Sequence, residues 1–245
     1  MIKKVMTMKS NLQQLKQRGQ FDEQEYNQFL DLSKADLISH LHDFASIRTA
    51  CIRILSQNYH QDEDYTSILL QQLHKEKALY TKIEIQNQLT QYGDIPMMCQ
   101  YLGKIGHNQY RQLPVKGSLK KSYPLPRDII ARSLAYISIE KFNLFFDCLN
   151  SLSREQLLEA IDALGFLCFY HQELANEETY SFVCQQIEKY SQDDLMMFKL
   201  ITCLSAFPQS QPLLLELLQT KKHPTLIKEV ERSLKIIHQS NNHLN

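Results

Sequence analysis

Residues 35–59 read ADLISHLHDFASIRTACIRILSQNY, and residues 65–92 read YTSILLQQLHKEKALYTKIEIQNQLTQY. In the first stretch apolar side chains recur at steps of three and four: Leu37, Ile38 and Leu41, then, after a short break, Ile47, Cys51, Ile54 and Leu55. That spacing puts one apolar stripe on each of two helices. A displacement of 32 residues lays Leu37, Ile38, Leu41 and Ile47 on Leu69, Leu70, Leu73 and Leu79. The second stretch therefore repeats the pattern of the first without its identities. A two-helix unit of this size cannot bury its own stripes, and a recurring unit implies neighbours stacked on one another.

The same grammar runs on to the C-terminus. IPMMCQYLGKIG (95–106) finds its partner RDIIARSLAYI (127–137) only after a long interruption. IEKFNLFFDCLNS (139–151) precedes SREQLLEAIDALGFLCFYHQ (153–172), where Ser153 and Gln156 have capping-box spacing. NEETYSFVCQQIEKY (176–190) precedes DDLMMFKLITCLSAF (193–207), and QPLLLELLQTK (211–221) precedes HPTLIKEVERSLKIIHQ (223–239), with Pro224 suited to a first helical turn. No long alternating Val/Ile/Thr run marks a strand. The fold class expected is all-α, an α–α superhelix of about six hairpins. We read it as one solenoid domain over residues 1–245, with capping helices in 1–30, a loop insertion at 103–126 and a capping hairpin in 210–245.

LISHLHDFASIRTACIRIL (37–55) and LLEAIDALGFL (157–167) resemble HEAT repeats, in particular the short HEAT-like type of the phycobilisome lyases. Leu37, Leu41, Asp43, Ile47, Arg48, Ala50 and Leu55 carry the match, which extends over about residues 30–240. Tyr80 stands where the second repeat would need a counterpart of Arg48, and the insertion breaks the third repeat. The resemblance implies an armadillo-like stack with a binding surface on its inner, second helices, and no lyase activity. It makes Arg48, Arg53, Arg132 and Tyr136 candidates for contact with a partner.

Charge singles out the interruption. The chain carries 27 basic and 27 acidic residues, but residues 103–132 hold seven basic groups against one acidic. The basic groups are Lys104, Arg111, Lys116, Lys120, Lys121, Arg127 and Arg132, accompanied by Tyr101, Tyr110 and Tyr123. Three of the seven prolines and three of the six glycines fall here too, so the segment is a long loop rather than a helix, and loops of that length in compact folds are usually functional or disordered; the alternative for its basic groups is solvated surface that neutralises the acidic helices on either side. Arg127 and Arg132 flank the start of the next helix, whose free N–H groups would make an anion site with them. The tyrosines serve equally well to stack a ligand or to pin the loop to its own helices.

Catalytic and metal chemistry find little support. There is no HExxH, no GxSxG and no phosphate-binding loop, and the six cysteines stand singly in apolar helical contexts. No metal and no cofactor are expected, and the chain reads as a non-catalytic scaffold for a protein or peptide partner, with the basic loop on an anionic group. The alternative from the same resemblance is a nucleic-acid-binding relative of the alkylpurine DNA glycosylases; the chain has no tryptophan to serve such a site. No run of apolar residues has the length of a membrane span, and the first residues lack the apolar core of a signal peptide. The expected compartment is the cytoplasm, with no membrane partner.

Overall fold

The computed structural model describes residues 11–115, 117 and 120–241. Those residues contain fourteen α-helices and no strand. Among them, no helix is long and apolar enough to cross a membrane. The chain divides into two compact units, one ending at Asp94 and the other beginning at Ile95.

The first unit opens with two short polar helices, α1 (Leu12–Gln17) and α2 (Glu23–Gln28), neither of which buries a residue. Both begin with a capping box, on Asn11 and Asp22, in which the cap side chain and a Gln or Glu three residues on exchange hydrogen bonds with the backbone. Two hairpins follow: α3 (Lys34–Ser39) with α4 (Ala45–Tyr59), and α5 (Tyr65–Lys75) with α6 (Leu79–Tyr92). The second helices α4 and α6 pack on each other, and α1 and α2 both lie against α4.

The displacement of 32 residues read from the sequence has a physical counterpart, since Thr49 and Thr81 meet hydroxyl to hydroxyl at 2.8 Å between α4 and α6. Leu79 is a correction. It is 43% exposed, because it is the first residue of α6 and lies off the stripe that Thr81, Ile85 and Leu89 bury. Gly19 has φ +98, and a methyl there would overlap the Thr81 hydroxyl. Only glycine lets the leading segment pass this close to the α4–α6 contact.

The second unit contains α7 (Ile95–Gln100), α8 (Ile129–Leu134), α9 (Phe142–Cys148), α10 (Arg154–Tyr170), α11 (Glu177–Lys189), α12 (Asp194–Leu204), α13 (Gln211–Thr220) and α14 (Pro224–Asn241). α7 pairs with α8, α11 with α12, and α13 with α14, while the second helices α8, α10, α12 and α14 form a row in which each touches the next. The capping box expected at Ser153 is present. Gln156, the third residue of α10, also donates from Nε2 to the Gln100 carbonyl at 3.0 Å, tying α10 to the end of α7. α10 and α12 bury most of their residues, which is why both read as apolar nearly all round.

Candidate binding site

The site is built around the insertion between α7 and α8. Its two ends are drawn together by Asp128, which is fully buried. One carboxylate oxygen accepts the N–H groups of Ile130 and Ala131, capping α8, and the other accepts from Gly103 N at 3.2 Å and Gln109 Nε2 at 2.7 Å. Burial raises the Asp128 pKa above the usual carboxylate value, against these hydrogen bonds, which favour the charged form. Gly103 and Gly106, with φ +75 and +82, supply the left-handed turns that start the loop.

From there the described residues cross the row of second helices as bends and irregular structure. Tyr110 meets Phe198 of α12 edge to face, at 6.2 Å between ring centres. Tyr123 is 3% exposed and packs against Phe166 and Phe169 of α10. Gly165 makes room for it. A Cβ at that position would overlap the Tyr123 hydroxyl and stand 2.5 Å from its Cζ, so a glycine in mid-helix, normally unfavourable by about 1 kcal/mol, is the condition for the tyrosine to lie across α10. Farther along, Arg232 of α14 donates from Nη1 to the Lys120 carbonyl at 3.2 Å.

Beneath the loop lies a row of buried charge. Lys199 of α12 is 1% exposed and donates to Glu159 at 2.8 Å and Asp162 at 2.9 Å, both on α10. Burial pushes Glu159 up to about 7, helped by the Asp162 carboxylate and opposed by the Lys199 ammonium. Burial also works against the charge on Lys199, but the two carboxylates outweigh it and hold its pKa above the ordinary lysine value. Next in the row, Glu229 accepts from Thr202 Oγ1 and Arg232 Nε, each at 2.8 Å, while its other oxygen, Oε2, is buried without a hydrogen-bond partner.

Two hollows flank the loop. One, of about 210 Å³, lies between it and the charged row, lined among others by Tyr110, Lys120, Arg127, Asp162, Phe198 and Lys199. The other is a more open cleft of about 430 Å³ with Lys120, Tyr123, Tyr136, Phe166, Tyr170 and His171 in its walls. Tyr136 and Tyr170 are 55% and 51% exposed, and the Phe166 ring lies 5.0 Å from Tyr136 and 4.6 Å from Tyr170.

The candidates from the sequence separate accordingly. Lys120, Tyr123 and Tyr136 converge on the cleft, and Lys120 and Arg127 on the smaller hollow. Lys104, Arg111 and Lys121 are exposed, with the Lys104 ammonium 5.9 Å from the Tyr101 ring. Lys116 lies outside the described residues. Of the two readings given for the tyrosines, Tyr123 follows the second and is a buried pin on α10. The anion site at the start of α8 is corrected: the Asp128 carboxylate already takes the N–H groups there. Arg127 donates to the Asn108 carbonyl at 2.5 Å and stacks 4.5 Å over Tyr110, and Arg132 donates twice to the Pro126 carbonyl.

Arg48 and Arg53 belong to the first unit and are engaged within it. Arg48 grips Glu76 at 2.6 and 2.9 Å, and Arg53 grips Glu84 at 2.6 and 3.0 Å. Each pair is a two-pronged bridge of the kind guanidinium geometry favours.

Burial pushes the Cys51 thiol up to about 12 and raises Cys168 and Cys203 as well, so none of these three offers a thiolate near neutral pH. Sequence reasoning missed Gly165, Glu159 and Lys199. Gly165 alone left a trace, a glycine inside an apolar helical run, which marks close approach of another segment. Compared with family models, curated proteins and solved structures, the chain matches none; the HEAT-like resemblance rests on the residues that carry it.

Proposed function

We propose that this protein is a HEAT-like helical-repeat interaction module, an α-solenoid with no catalytic role of its own, which captures an acidic peptide segment of a partner protein through the cleft beside the basic loop. The side-by-side packing of successive second helices supports the solenoid. The observation that carries the binding site is the pair of half-exposed tyrosines, Tyr136 and Tyr170, standing against Phe166 in a cleft walled by Lys120 and adjoined by the exposed Lys121. Aromatic rings in a preformed cleft give most energy per residue at an interface, and flanking cations choose a partner of opposite sign and speed its arrival. Among the described residues the cysteines form no disulfide, which agrees with a reducing, cytoplasmic setting.

Selection of a displayed random peptide library on the purified protein tests this. Enriched peptides are expected to combine Asp or Glu with an aromatic or leucine side chain. Their affinity should fall ten-fold or more for the Tyr136→Ala, Tyr170→Ala double variant, and their salt dependence should shrink for Lys120→Ala, Lys121→Ala. All four side chains stand on the surface, so melting should hardly move. Enrichment indifferent to these residues sinks the reading, and a salt-sensitive shift of duplex DNA abolished by the lysine changes would put nucleic acid in the partner's place.

A further inference from the structure

The inner side of the insertion tells a different story from its outer side, and it does not depend on the outer cleft. Residues 120–127 run as bends and irregular structure, without helix, and are held the way a bound peptide is held. One aromatic side chain, Tyr123, enters a notch cut by Gly165, one main-chain carbonyl, that of Lys120, is grasped by Arg232, and a ring-to-ring contact between Tyr110 and Phe198 steadies the approach. Its bed carries Glu159, Asp162 and Glu229 against Lys199 and Arg232, an excess of one acidic group, and Lys120 and Arg127 of the segment line the hollow that Asp162 also lines.

The fit is nevertheless imperfect. Glu229 Oε2 is buried without a hydrogen-bond partner, and the Cβ of any side chain built on Gly117 would lie 3.4 Å from it. The Tyr123 hydroxyl is buried without a hydrogen bond of normal geometry, beside the Cys203 thiol, a weak partner at best. A hollow of about 210 Å³ remains between loop and helices. Buried polar atoms without partners and unfilled space both weaken the hold on an occupant.

From this we infer that the face of α10, α12 and α14 is a peptide-binding groove which the chain fills with its own residues 120–127, and that a lysine-rich partner segment bearing one tyrosine takes the same place by displacing them. The loop is then an internal competitor, and the partner must bind tightly enough to evict it.

A fluorescently labelled peptide of residues 117–127, GSLKKSYPLPR, is the probe, titrated by anisotropy into full-length protein. Tyr123→Ala should loosen the loop and bind the peptide at least ten-fold more tightly than the unaltered chain does. The same peptide with alanine for its tyrosine should not bind, and Tyr123→Ala combined with Gly165→Ala, which closes the notch, should lose binding again. No binding to folded Tyr123→Ala protein, or equal binding with and without the peptide's tyrosine, overturns the inference. Should Tyr123→Ala not fold, hydrogen exchange on the unaltered protein decides. Loop amides exchanging at least ten-fold faster than those of α12 support a displaceable loop, and exchange of both at one common rate overturns it. Failure of this test leaves the acidic-peptide cleft untouched, because neither arm uses an acidic ligand.

Discussion

Glu159 shows how far the fold can move a single residue from its ordinary chemistry. Its folded pKa, about 7, lies above the reference 4.5, so folding takes up a proton between those values. The stability this contributes is complete below about pH 4.5 and disappears as pH rises through about 7, at up to about 1.4 kcal/mol per pH unit. Lys199 and Asp162 face the carboxyl directly and Asp128 acts on it at longer range. Lys199, also raised, loses its contribution only at alkaline pH, above its reference of 10.5. Glu76, held low by Arg48 and backbone N–H groups in spite of its burial, has the opposite sign and loses its contribution only in acid. Urea melts between pH 5 and 7.5 should therefore show stability falling with pH, and Glu159→Gln, which keeps the shape and removes the titration, should flatten the curve. A flat curve for the unaltered chain would contradict the raised pKa.

Gly165 makes a second prediction at the residue scale. Glycine to alanine in a helix ordinarily stabilises, but here the added methyl strikes the Tyr123 ring. Gly165→Ala is expected to lower stability by about 2 kcal/mol through overpacking and to speed proteolysis of the loop. A gain in melting temperature with the loop still protected would mean that the ring can shift aside. Nothing local in the sequence says what approaches Gly165; only its place in an apolar run says that something does.

At the scale of elements, the insertion is held by its ends as much as by its middle. Asp128→Ala removes the cap of α8 and the acceptor shared by the half-buried Gly103 N and by Gln109 Nε2, at a cost of about 3 kcal/mol, read by chemical denaturation. Asp128→Asn keeps an acceptor and should recover part of it. An Asp directly before an apolar helical run is a legible cap. The dense positive charge on either side draws attention instead to Arg127 and Arg132, whose partners turn out to be the carbonyls of Asn108 and Pro126. The Ser153 cap was readable because both members of its box lie within four residues of each other. The other bonds of Asp128, to Gly103 and Gln109, span 25 and 19 residues, and no local pattern carries that information.

At the scale of the whole molecule, α12 packs on α10, α11 and α14 of its own unit, so damage there should stay near its source. Ile201→Ala, in the buried centre of α12, is expected to cost about 3 kcal/mol and to raise hydrogen exchange in α10, α12 and α14 while leaving α4 and α6 nearly unchanged. Uniform loss of protection across both units would contradict this. The sequence alone determined the all-helical class and the position of the long loop, because apolar period, helix caps and proline placement act over a few residues; the expected pairing of 139–151 with 153–172 is a correction, since α9 packs on α7 instead. Only the tertiary structure decided that the loop turns its tyrosine inward over Gly165, that Lys199 lies between two carboxylates, and that Arg48 and Arg53 are engaged inside their own unit. Those outcomes depend on burial and on partners distant in the chain, and both come into being when the helices pack.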